Sequence, residues 1–220
     1  MTKAIVIKDQ QLEFAVKVAK VSSKENGNRD AALLLTCFAT GMTVTEICRL
    51  RVGDYLTASG EVLADSQVRA EIAYNHRPRP LCWTNKKLTN AVDAHLAERL
   101  ERGHGVSIGL MAYRGLDPES PLFVSGRTGE GLKISTKHRD GKTYYSANQL
   151  SRLYTRLFDQ AGVEGASAQS GRRTLAVKLK QRGIDLRHIS EILGIESLEA
   201  VKKLCAGDPT RLGDLVRRII

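Results

Sequence analysis

QSGRRTLAVKLKQRGIDLRHISEILGIESLEAVKKL, residues 169 to 204, divides into three short helical pieces separated by glycine stops at Gly183 and Gly194. Within each piece the apolar residues recur at three- and four-residue steps, the period of a helix with one buried face. An arginine pair, Arg172 and Arg173, stands at the entrance of the first piece. The third piece places Leu198, Val201, Leu204 and Cys205 on one apolar side.

Charge narrows the field of partners. The 220 residues carry 34 Lys and Arg against 24 Asp and Glu, a net charge of +10 and a pI near 9.6. That surplus favours a polyanion, nucleic acid first and an acidic membrane surface second, although solubility alone also accounts for it. Apolar residues make up 42% of the chain, enough for one domain with a real core. Cys37, Cys48, Cys82 and Cys205 are widely spaced and lack a C-x-x-C, so they read as reduced thiols, with neither a disulfide framework nor a zinc site. "MTKAIVIKDQ" is too short an apolar run for a signal peptide, and no stretch approaches eighteen apolar residues. A cytoplasmic protein without metal, cofactor or membrane partner is expected.

Working outward from the opening stretch, Asp9 is placed as the cap of a first helix and Asn28 as the cap of "RDAALLLTCFATG", a central helix apolar on nearly every side and stopped by Gly41. "VTEICRLRVGDYL" follows as a helix, with Thr43 and Glu46 forming a capping box. From Glu61 to Trp83 the pattern turns to β: "VRAEIAYN" and "RPRPLCW" around the turn "NHRP" predict a hairpin of a small antiparallel sheet, its tip basic through His76, Arg77 and Arg79. Thr84 caps a long helix carrying Leu88, Val92, Leu96 and Leu100, with Lys86 and Lys87 in its first turn. Residues 105 to 143 are glycine-rich and poorly periodic apart from a strand "PLFV". "GRTGEGLK" and "GKT" miss the spacing of a phosphate loop, and "HRD" lacks its kinase partners. Ser146 with Gln149 opens a strongly amphipathic helix closed by Gly162, and Asp208 with Pro209 opens a last one.

Three segments, "ATGMTVTEICRLRVGDY", "SAQSGRRTLA" and "GIDLRHISEILG" followed by a helix after "IES", together resemble the catalytic domain of the tyrosine recombinase or phage integrase family. The resemblance covers roughly residues 29 to 204 and implies a mostly α fold (α+β) with a small antiparallel sheet. Residues 1–220 are then expected to form a single domain, with 1–28 as an N-terminal segment, 207–220 as a tail helix and no core-binding domain. It also implies positions for the reactive groups. The family's first arginine falls on Thr43, its hairpin lysine near Tyr74, its His-x-x-Arg on Gln169 and Arg172, its Leu-Gly-His histidine on Ile195, and its tyrosine nucleophile on Leu204.

Strand transfer needs a nucleophile for the phosphodiester, cations for the charge developing on the phosphoryl oxygens, and a proton donor for the leaving hydroxyl. Of the implied set only Arg172 remains. The six tyrosines end at Tyr154, so no shift of one or two residues brings one to position 204. Cys205 lies about 100° around the helix from that position, the rotation that one residue adds. The expectation is a protein without catalytic residues that binds double-stranded DNA through Arg172 and Arg173, with Arg77, Arg79, His76, Lys86 and Lys87 as secondary contacts. Arg172 read as an internal buttress of the inter-helix turn is the competing assignment. An accessory or regulatory factor of DNA recombination in a mobile element leads. The alternatives are an interaction module that joins an active recombinase, or a second copy of itself, through the C-terminal helix, and an active enzyme with a displaced nucleophile.

Overall fold

The computed structural model describes residues 4–107, 111–139 and 141–206. Its centre is α2 (Gly27–Thr40), in which eleven residues are buried, and which packs against α1 (Asp9–Ser22), α4 (Lys86–Glu101) and α6 (Ala168–Gln181). An α2 without a polar stripe requires helices on several sides, as its composition implied. Asn26 occupies the cap position of α2, so Asn28 lies inside the helix and its amide reaches Glu98 at 3.2 Å. Lys8 likewise precedes α1, leaving Asp9 as its first helical residue, where the helix dipole still favours a carboxylate. Gly41 ends α2 in the left-handed region at φ 64°, and a Cβ there would lie 2.4 Å from Leu193 Cδ2. Both the backbone angle and the closeness of the neighbour require glycine.

The single helix expected after Thr43 is two elements. α3 (Val44–Cys48) carries the capping box of Thr43 and Glu46, and a 3₁₀ turn spans Val52–Asp54. The backbone leaves the helix between them because Leu50 O accepts from Leu122 N at 2.7 Å and Val52 N donates to Ser120 O at 3.0 Å. Those long-range bonds replace the next helical ones, and the "PLFV" segment meets the chain through them and through isolated bridges instead of as a strand.

β1 (Asp65–Val68) pairs antiparallel with β2 (Arg79–Cys82), Ser66 opposite Leu81. Only Val68 of "VRAEIAYN" is in a strand; residues 69–78 form a run of turns, with His76 at φ 58°. Asn85, not Thr84, caps α4 by accepting from Leu88 N at 3.1 Å. A second antiparallel pair, β3 (Ser135–Arg139) and β4 (Lys142–Ser146), lies in the segment that sequence periodicity left irregular. It leads into α5 (Asn148–Gln160), whose Leu150, Tyr154, Leu157 and Phe158 enter the core; Ala147 holds its cap position in place of Ser146.

α6, α7 (Leu186–Leu193) and α8 (Leu198–Cys205) are the three short helices expected from residues 169–204. Ala176, Ile189, Leu193, Val201 and Cys205 bury one another in a second apolar cluster beside the main core. Gly171 lets α6 approach α2, since a Cβ there would meet Cys37 Sγ at 2.4 Å. The helix expected from Asp208 lies outside the described residues. Among the described residues no helix is long and apolar enough to cross a membrane, and the four cysteines are free.

Phe158 is fully buried edge-on to Phe38, with ring centroids 5.9 Å apart. Phe158→Ala should therefore destabilise the protein by about 3–5 kcal/mol, measured by urea unfolding.

Candidate functional site

Glu46 begins the site. Its carboxylate is fully buried, and a charge without water must be surrounded by donors. Arg79 supplies two, Nη1 to Oε1 at 2.6 Å and Nη2 to Oε2 at 2.8 Å, a bidentate fork. Thr43 N donates to Oε2 at 2.7 Å and Tyr74 N to Oε1 at 3.2 Å. Burial alone would raise the Glu46 pKa, but the Arg79 fork and the two backbone N–H groups hold it below the usual glutamate value. One carboxylate thus joins α3, the 69–78 turns and β2.

Arg172 lies on the next layer. From the first half of α6 its Nη1 donates to Gly41 O at 2.9 Å and its Nη2 to Leu193 O at 2.6 Å, tying the end of α2 to the end of α7. Its guanidinium carbon stands 5.1 Å from the centre of the Tyr74 ring, within cation–π range. Burial lowers the Arg172 pKa, partly countered by Glu46 and Tyr74, yet a guanidinium stays protonated. The Tyr74 hydroxyl donates to Gly194 O at 2.6 Å, and Asn75 Nδ2 donates to the same oxygen at 3.0 Å. Gly194, left-handed at the end of α7, sits so close to Arg79 that a Cβ would meet its Cδ at 2.8 Å.

The structure therefore brings Thr43, Tyr74, Arg172 and the Gly194–Ile195 turn together, although they are scattered over 150 positions. Thr43 caps α3 with its hydroxyl, at 3.4 Å from Glu46 N. Gln169 is exposed one turn before Arg172 on α6. Ile195 and Leu204 are half-buried against the second apolar cluster. Cys205 is 4% exposed, its thiol points at Ala176 O, and burial pushes its pKa up, which disfavours the thiolate.

Two of the expected DNA contacts need correction. Arg79 is 5% exposed and committed to Glu46, so it is a structural counter-ion and not part of a basic tip. Arg173 is equally buried and donates to Ala206 O at 3.0 Å, bracing the end of α8. The buttress assignment considered for Arg172 describes two of its five N–H donors, which hold backbone carbonyls. Of the remaining candidates, His76 is exposed and Arg77 is exposed with Glu196 3.2 Å away. Lys86 is exposed at the start of α4, and Lys87 pairs with Glu13 of α1 at 2.5 Å.

The Glu46–Arg79 pair escaped sequence reading because Glu46 also serves as the N3 residue of a capping box, which accounted for it fully. Asn75 carried no signal beyond a turn. Among the described residues no three His, Cys, Asp or Glu side chains converge as metal ligands.

The phage integrase family model matches residues 6–206. The chain belongs to the phage integrase family. It is 27% identical over 199 residues to the tyrosine recombinase XerC of Corynebacterium glutamicum, covering 90% of this chain and 53% of that protein. It is 24% identical over 197 residues to the tyrosine recombinase XerD of Neisseria meningitidis, covering 90% and 56%. The chain thus spans about half the length of the curated relatives it matches. Among solved structures, XerA recombinase superposes with a TM-score of 0.68 at 18% identity, over 99% of this chain and 64% of that one. XerH recombinase bound to its palindromic difH substrate in a post-cleavage complex superposes with a TM-score of 0.65 at 19% identity, over 98% and 53%. At these identities the superpositions speak for the fold, which is the integrase-family one.

Glu46→Gln would leave Arg79 buried without its counter-ion and should cost about 3–5 kcal/mol at pH 7. Because the folded pKa of Glu46 is depressed, its contribution is present above the ordinary value of 4.5 and is lost as pH falls through the folded value. Urea melts from pH 7 to pH 3 should show a smaller loss of stability on acidification in Glu46→Gln than in the wild type.

Proposed function

We propose that this chain is a DNA-binding member of the integrase family that holds duplex DNA without cutting it, serving as an accessory or regulatory factor of DNA recombination. The observation that carries the reading is Leu204, a half-buried hydrocarbon side chain packed against the second apolar cluster at the position the family resemblance gives to the nucleophile. Three further properties support it. No tyrosine follows Tyr154 in the sequence, Thr43 is engaged as a helix cap, and the Cys205 thiol is buried.

Removal of one transition-state donor typically costs on the order of a hundredfold or more in rate, and here several are replaced together with the nucleophile. What the site retains is suited to binding. Arg172 gives one donor each to two carbonyls and stands over the Tyr74 ring, and the exposed His76 and Arg77 border the turn that carries Tyr74. Net charge of +10 supplies the attraction, and the Tn1549 transposon integrase, which shares the fold, was solved in complex with transposon right end DNA.

Two measurements decide the reading. Anisotropy titration of duplex DNA should give an affinity that falls roughly a hundredfold between 50 and 200 mM salt if about four phosphates are contacted. Arg172→Ala and Arg77→Ala should each weaken it and lower the salt slope by about one. Incubation with a nicked suicide substrate should yield no covalent protein–DNA adduct. An adduct would restore the chain to the enzymes, and absent or salt-insensitive binding would favour the interaction module.

A further inference from the structure

We infer that the β3–β4 hairpin is a second DNA contact, a basic arm that grips the phosphate backbone separately from the Arg172 site. This assignment rests on the DNA-binding reading above and adds to it a surface whose sequence suggested nothing.

The first ground is charge. Between residues 131 and 158 the chain carries six lysines and arginines against one aspartate, a surplus of five out of the whole protein's +10. Half of the net charge is thus concentrated in about an eighth of the length. Among the described residues Lys137 and Arg152 form no ion pair, so their charge is not cancelled locally.

The second ground is register. Residues directly opposite in an antiparallel pair share a face. Lys137 lies opposite Tyr144, and Arg139 opposite Lys142, so these four positions fall on one face of the ribbon. Thr136 opposite Tyr145 and His138 opposite Thr143 fall on the other. The two faces are used differently. The guanidinium of Arg49, at the end of α3, stands 4.2 Å from the centre of the Tyr145 ring and attaches that face to the body. Tyr144 is 53% exposed and lines a concave surface with Lys137 and Arg139, which His138 borders from the other face.

The third ground is burial. All five residues of β3 are exposed, so that strand fills no core. An isolated two-stranded ribbon is marginally stable in water. Packing therefore does not explain why these residues stand there, whereas a partner of opposite charge does. A two-stranded ribbon is narrow enough to enter the major groove of B-DNA and to meet phosphates on its walls.

The test compares Lys137→Ala/Arg139→Ala with Lys17→Ala/Lys20→Ala, which removes the same charge from exposed positions on α1. Surface changes of this kind leave stability nearly unaltered, which thermal melting verifies. Affinity for a 30-base-pair duplex is followed by anisotropy from 50 to 300 mM salt. The hairpin variant should bind at least tenfold more weakly at 50 mM, with a salt slope about two lower, and the α1 variant should match the wild type. Equal losses in both variants would show a bulk-charge effect and overturn the arm. An unchanged slope in the hairpin variant, with wild-type binding intact, would overturn the arm and leave DNA binding standing. Failure of the wild type to bind would remove both.

Discussion

A carboxylate placed where no water reaches it dictates what surrounds it, and Glu46 is that group here. Four N–H donors, two from Arg79 and one each from the backbones of Thr43 and Tyr74, converge on its two oxygens. Those donors come from the start of α3, the 69–78 turns and β2. The pair is less a source of net stability than of position, because desolvating two charges offsets most of their attraction. What it secures is the placing of the Tyr74 turn against α3, and through Tyr74 and Asn75 the placing of the end of α7.

The site follows from that placing. With Gly194 O held by Tyr74 and Asn75, the neighbouring Leu193 O is left for Arg172, which spans from there to Gly41 O. The fork of a guanidinium suits two carbonyls on different helices as well as it suits a phosphate, and it has donors enough to serve both. In the proposed function, then, one side chain closes the fold and faces the ligand. Thr43 and Leu204 belong to the same logic, since each is employed by its own helix: the first as a cap, the second as apolar filling.

Much of this architecture was legible in the residues and some was not, for reasons that differ by element. α5 announced itself because its apolar face is continuous, and residues 169–204 did so because glycine stops separate three periodic runs. The helix expected through Leu56 failed because strand-like bonds from Leu122 and to Ser120, some seventy positions away, captured the backbone at Leu50 and Val52. β3 and β4 were silent because alternation marks a strand only when one face is buried, and β3 has none. Of the site, Thr43, Tyr74, Ile195 and Arg172 were placed together only through the family resemblance. The Glu46–Arg79 pair was invisible, since residues 33 apart give no periodic signal and each had a sufficient local explanation.

The solitary β3–β4 ribbon has one more property. Among the described residues no third strand joins it, so its outer edges lack the strand partner that a larger sheet would supply. Such edges invite a like edge from another copy, and stacked ribbons are the seed of fibrils. A lysine such as the exposed Lys137 keeps a like ribbon off by charge repulsion, a protection that works only while that charge is felt over several ångströms. Concentrated salt would mute that repulsion, and the protein's colloidal behaviour in storage is thereby tied to the ionic composition of its buffer.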